Sequence, residues 1–64
     1  MRISLFGYGT TMKALAARVA CTIYDDKFHG ESTDEFGNAL RESAAFDPDS
    51  SDLEIPSPGI MPTH

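Results

Sequence analysis

Between Arg2 and Tyr24 the chain changes its apolar period twice, and this constrains its fold more than any other feature. Arg2-Ile3-Ser4-Leu5-Phe6 is a short, largely apolar run stopped by Gly7, as expected of a buried strand. From Thr10 onward, Met12, Leu15, Ala16 and Val19 recur at i, i+3, i+4 and i+7 while Lys13 and Arg18 fall off that stripe. That spacing predicts an amphipathic helix of about three turns. Thr22-Ile23-Tyr24 follows at once, with β-branched and aromatic residues that suit a pleated surface, and it ends at Asp25-Asp26. Two parallel strands cannot be joined by a tight turn. Strand, helix and strand in about 25 residues therefore read as a right-handed parallel βαβ crossover.

The rest of the chain is less regular. Residues 27–37, KFHGESTDEFG, read as a loop with room for one helical turn. Phe36, Leu40 and Ala44 are spaced for a helix, but Gly37-Asn38 before Ala39-Leu40-Arg41-Glu42 also fits a turn into a third strand, which is the favoured reading. Asp47 to Asp52 is a polar connection, and Leu53-Glu54-Ile55 begins a last strand. Pro56 lacks the N–H that a central ladder requires, so this strand should end near residue 56. The expected fold is α/β: a small parallel sheet in the order 3-2-1-4 around one βαβ unit and one clear helix. One helix covers one sheet face, so apolar surface is expected on the other, met by self-association, a partner or loose packing.

At 64 residues the chain is at most one domain, and one that buries only about 60% of its unfolded surface. Charge is divided unevenly: residues 1–30 carry +2 and residues 31–64 carry −7, for a total of −5. Counterion release needs clustered Lys and Arg, so this balance argues against non-specific binding to nucleic acid or anionic membrane. Cys21 is the only cysteine, which excludes an internal disulfide and favours a reducing, cytoplasmic setting. Lys13 and Arg18 interrupt the N-terminal apolar stretch, contrary to a signal peptide, and no run approaches the length of a membrane span.

Gly7-Tyr8-Gly9 after the first strand and before the helix is the pattern that lets a backbone approach a pyrophosphate in dinucleotide-binding folds. Met12 stands where the third glycine of G-x-G-x-x-G would be, and two glycines taken by themselves favour a plain turn over a phosphate site. The hydroxyls of Thr10 and Thr11 suit either phosphate contact or helix capping. Asp25 lies at the end of the second strand, near where a ribose-binding acid sits; the alternative for Asp25-Asp26 is a solvated strand end. Lys27 is either the neighbouring positive charge or a solvated side chain. Ser57-Pro58-Gly59 punctuates the last strand. In a doubly wound sheet the first and last strands are neighbours, so the two turns would converge at the carboxyl edge. His29 and His64 have no partner at a zinc-ligand spacing, Cys21 reads as a small buried apolar residue, and no Walker A motif, paired catalytic carboxylates or serine elbow occurs.

Together, Gly7-Tyr8-Gly9-Thr10-Thr11, Tyr24-Asp25-Asp26-Lys27, and Leu53-Glu54-Ile55 leading into Ser57-Pro58-Gly59-Ile60 with His64 four positions later resemble the N-terminal end of the D-glutamate-adding Mur ligases of peptidoglycan synthesis. The resemblance covers nearly the whole chain, and S-P-G-I followed by x-x-x-H is its most specific element. It implies that residues 1–64 correspond to part of a Rossmann-like, UDP-binding N-terminal domain, with the central ATP-binding and C-terminal domains absent. The implied ligand is UDP-N-acetylmuramoyl-L-alanine. Gly7, Tyr8, Gly9, Thr10 and Thr11 would meet its diphosphate, Asp25, Asp26 and Lys27 its uridine, and Ser57, Pro58 and Gly59 would close the pocket. ATP and Mg²⁺ are implied for the intact ligase and no cofactor for this segment, which by itself is expected to be inactive. Met12, Asp26 and Lys27 depart from the family's commoner residues, and a Lys point charge does not reproduce an Arg fork. Two other classes stand beside this one: an NAD- or FAD-binding module, from Gly7, Gly9 and Asp25, and a non-catalytic module whose acidic second half meets a basic partner.

Overall fold

The structure, a computed structural model, describes residues 1–57. Pro58, Gly59, Ile60 and His64, singled out above, lie outside the described residues. Strand β1 is Ile3–Phe6, helix α1 is Thr10–Ala16, β2 is Thr22–Tyr24, β3 is Ser32–Thr33, β4 is Ala39–Arg41 and β5 is Leu53–Pro56. Short 3₁₀ turns at Ser43–Ala45 and Pro48–Ser50 connect the last two strands.

β1 pairs in parallel with β2 and with β5, and β2 pairs in parallel with β4. The register places Ile55, Leu5, Ile23 and Leu40 in one row across the sheet. Side chains alternate along a strand, so the row forms a single apolar ridge, and α1 lays Met12 and Ala16 onto it. Leu5, Met12 and Ile23 are fully buried, each contributing about 1.5–3 kcal/mol of burial free energy. Met12, which stands at the third position of the glycine fingerprint, thus fills the space between helix and sheet.

Four expectations need correction. The sheet is mixed rather than wholly parallel, with five strands in the order β3-β4-β2-β1-β5. The four parallel strands keep the expected neighbours, and β3, inside the segment read as a loop, adds an antiparallel edge to β4. Two residues carry too little pattern to announce a strand. What makes this one is the five-residue connection that follows, residues 34–38, in which Asp34 accepts from the Phe36 N–H and Gly37 takes a left-handed φ of 85°. The helix has two turns, not three. After Ala16 the chain tightens, the Arg18 N–H donating to the Leu15 carbonyl at 2.9 Å, and Asn38 Nδ2 takes the Ala16 carbonyl at 2.9 Å. Nor is the second face of the sheet bare. There Phe6 and Tyr24 stack with centroids 5.6 Å apart, and Phe46, from the connection after β4, sets its edge against both at 4.9 and 5.2 Å. On the same face the Ser4 hydroxyl donates to that of Ser51 at 2.8 Å.

The favoured reading of residues 39–42 as a strand holds for Ala39–Arg41, and the chain then enters the Ser43–Ala45 turn. Pro56 closes β5, an edge strand, where a missing N–H is tolerated. Among the described residues, no helix is long and apolar enough to cross a membrane.

Candidate functional site

Because β1, β2, β4 and β5 are mutually parallel, their carboxyl ends lie along one edge of the sheet. A cleft of about 520 Å³ opens there, lined by the ends of β1 and β2, the turn after β1, Ser43 and Ser57. This is within the usual size of a small-molecule site. Phe6 pairs with Pro56, and one residue further the Ser57 N–H donates to the Phe6 carbonyl at 2.8 Å. The early turn and the end of the last strand are thereby held side by side.

Gly7 adopts φ 95°, a conformation that side chains oppose, while its N–H still donates to the Tyr24 carbonyl at 2.8 Å. The chain can therefore leave β1 sharply without losing its ladder to β2. Gly9 is the N-cap of α1, with φ −85°, and a Cβ built on it would meet nothing within 4 Å. The helical ladder begins with the Lys13 N–H donating to the Gly9 carbonyl at 2.9 Å, so the N–H groups of residues 10–12 have no carbonyl one turn behind them.

Asp25 ties the second loop to the first. Its Oδ2 accepts from the Tyr8 N–H at 2.9 Å and its Oδ1 from the Lys27 N–H at 3.0 Å. Its own N–H donates to the Arg41 carbonyl and its carbonyl accepts from Phe28, each at 3.1 Å. Lys27 Nζ reaches the Tyr8 carbonyl at 3.4 Å. The Tyr8 ring is turned to other business: it packs on Phe28 with centroids 5.5 Å apart and carries the ammonium groups of Lys13 and Lys27 at 5.2 and 5.5 Å. Burial pushes the Tyr8 phenol above its ordinary value, helped by the charges of Asp34 and Glu35.

Of the residues expected at a site, Gly7, Tyr8, Gly9, Asp25, Asp26 and Ser57 border the cleft. Thr10 and Thr11 stand exposed at the helix start, and Lys27 faces the Tyr8 carbonyl and ring; none of the three borders it. Pro58 and Gly59 lie outside the described residues. Phe6, Tyr24 and Ser43 also border the cleft and were not among the expected site residues. The first two were legible as the last residues of their strands, whereas Ser43 lies in a stretch whose helical and strand spacings compete.

Cys21 is partly buried, and burial, with the charge of Asp34, raises its thiol, consistent with a packing role. Among the described residues no group of three His, Cys, Asp or Glu side chains is placed to hold a metal ion.

No family model and no solved structure matches the chain. Curated sequences do. The chain is 46% identical over 69 aligned positions to a UDP-N-acetylmuramoylalanine–D-glutamate ligase of Campylobacter jejuni subsp. jejuni serotype O:6, an alignment that takes in 100% of this chain and 17% of that protein. It is 41% identical over 69 positions to the protein of the same name from Helicobacter pylori, covering 100% of this chain and 16% of the relative. The chain spans about one sixth of the length of the curated relatives it matches.

Proposed function

This chain is a homologue, over its whole length, of the N-terminal segment of the UDP-N-acetylmuramoylalanine–D-glutamate ligases, and from that premise we propose that it anchors the UDP part of UDP-N-acetylmuramoyl-L-alanine in a Rossmann-like half-site. The observation that carries the reading is the joining of the early turn to the end of the last strand: the N–H of Ser57, one residue past β5, donates to the carbonyl of Phe6, at the mouth of the Gly7–Gly9 turn, beside the cleft at the carboxyl edge. Ligands of open parallel sheets bind outside the carboxyl ends of the strands where the strand order reverses. Here the parallel strands run outward from β1 through β2 to β4 and then return to β5, so that point lies between β1 and β5.

The parts have distinct tasks. Gly9 leaves room for an oxygen-rich group to reach the backbone, and the unpaired N–H groups that follow supply donors. Asp26 and Ser43 border the side of the cleft where a nucleoside would extend. ATP and Mg²⁺ belong to the reading of the whole ligase. The sequence has no G-x-x-x-x-G-K loop, and no metal-ligating trio occurs among the described residues. Ligation is accordingly assigned to the remainder of the protein, in a cytoplasmic cell-wall ligase, and this segment is a substrate anchor.

Titration of the ¹⁵N-labelled chain with UDP-N-acetylmuramoyl-L-alanine tests the reading. The amides of residues 7–11 and of Ser57 should move first, and NAD at the same concentrations should leave them in place. Shifts confined to β3, β4 or the 3₁₀ turns reject the assignment.

A further inference from the structure

We infer that Asp25 is a positioning residue for the glycine turn, acting on a ligand's diphosphate through the Tyr8 peptide rather than by touching the nucleoside. The inference rests on the UDP-anchoring reading and adds a device to it.

An acid at the end of the second strand of such a sheet invites assignment to a sugar hydroxyl. The hydrogen bonds of this chain point elsewhere. Both oxygens of Asp25 are engaged by backbone N–H groups: Oδ2 by Tyr8 at 2.9 Å and Oδ1 by Lys27 at 3.0 Å. The second closes an Asx turn, which fixes the carboxylate relative to its own main chain. That main chain is fixed in turn, the Asp25 N–H to the Arg41 carbonyl at the end of β4 and the Asp25 carbonyl to the Phe28 N–H. A rigid line therefore runs from β4 through Asp25 to the peptide between the two glycines. Lys27 grips the other end of the same residue, its Nζ 3.4 Å from the Tyr8 carbonyl. Tyr8 is thus held at both its N–H and its carbonyl by the loop after β2.

The grip falls where the chain is weakest. Gly7 at φ 95° and Gly9 on its open side are the two residues with least conformational restraint of their own. Any ligand contact from Gly9 onward depends on where Tyr8 sits. A carboxylate beside a diphosphate is, taken alone, repulsive. If Asp25 only faced the ligand, removing its charge would strengthen the binding of a bare diphosphate. If it holds the turn, removing it weakens that binding. The two roles predict opposite signs.

Asp25→Asn, which keeps one acceptor oxygen and loses the other along with the charge, separates them in the full chain. In the ligand-free protein the Tyr8 amide should exchange with solvent at least about tenfold faster, while the amides of Leu5 and Ile23 stay as protected as in the wild type, by the loss of one charge-assisted bond. NMR titrations with UDP and with inorganic pyrophosphate should weaken by a similar factor. Unchanged Tyr8 exchange overturns the inference. So does a loss of UDP affinity with equal or improved pyrophosphate affinity, which would place Asp25 on the nucleoside. If the wild type binds neither probe, the UDP-anchoring reading fails and takes the ligand half of the inference with it. Faster Tyr8 exchange in the variant would still identify Asp25 as the residue that holds the turn.

Discussion

Ser57 donates its N–H to the carbonyl of Phe6 at 2.8 Å, one residue beyond the last paired position of β5. This bond helps hold the end of the fifth strand against the start of the glycine turn, although the two residues are separated by most of the chain. Ser57→Pro removes the donor and leaves the β5 ladder intact. We expect a loss of about 0.5–1.5 kcal/mol in urea unfolding, the net worth of one hydrogen bond, together with a drop in UDP affinity of about tenfold or more by calorimetry. Unchanged affinity would remove the last strand from the site.

Gly7 and Gly9 should respond to alanine in opposite ways. Gly7→Ala forces a side chain into φ 95° and should cost about 1–2 kcal/mol of stability. Gly9→Ala meets nothing within 4 Å at an ordinary φ, so its melting temperature should stay within a few degrees of the wild type. Its UDP affinity should nonetheless fall at least about tenfold, because the methyl occupies the approach a phosphate needs. A stable Gly9→Ala that binds UDP normally would count against phosphate contact there.

Restoring the glycine fingerprint at Met12 should unfold the protein rather than improve it. Met12 is fully buried against Leu5 and Ile23. Truncating a buried Met costs about 2–5 kcal/mol, and glycine within a helix adds about 1 more. That is comparable to the whole stability of a domain this small. Circular dichroism of Met12→Gly should show loss of cooperative structure, with Met12→Leu as the volume-conserving control that keeps it.

Acid should destabilise the fold through two carboxylates in particular. At Asp34, burial favours the neutral acid, but the hydrogen bonds from Asn38, Phe36 and Gly37 outweigh it and hold the carboxyl below its ordinary value. The Arg2 backbone N–H, and then its guanidinium, do the same for Asp52. A carboxylate whose folded value is lowered contributes stability above the unfolded-state value of about 3.9. That contribution is lost as pH falls through the lower folded value. The urea midpoint should therefore fall as the pH drops below about 5, and Asn38→Ala should move the Asp34 titration upward in a ¹³C-detected NMR experiment. No movement would show that Asn38 is not what holds Asp34 ionised.

Asn38 also shows where reading the chain stops. In sequence it is half of a Gly-Asn turn. In the fold it is buried, accepting from the Cys21 N–H at 3.0 Å and donating to the Ala16 carbonyl and to Asp34. It joins the end of the helix, the entry to β2 and the β3–β4 turn, and it helps end α1 after two turns. Nothing in the spacing around it announces the partners at Ala16 and Cys21, because those two bonds cross to other elements.

The alternation of Ile3 to Phe6, the stripe of Met12 and Ala16, and the apolar centres of β2 and β5 were determined locally. Each follows from the period at which a strand or helix presents a face to the core, and with the parallel crossover these residues fixed which strands lie side by side. The two-residue strand Ser32–Thr33, the covering of the second face by Phe46, and the turning of Asp25 toward the Tyr8 peptide were decided only by the tertiary structure. They depend on which backbone groups and which apolar surface another element leaves to be satisfied or covered, and a linear chain does not specify that until its elements have met.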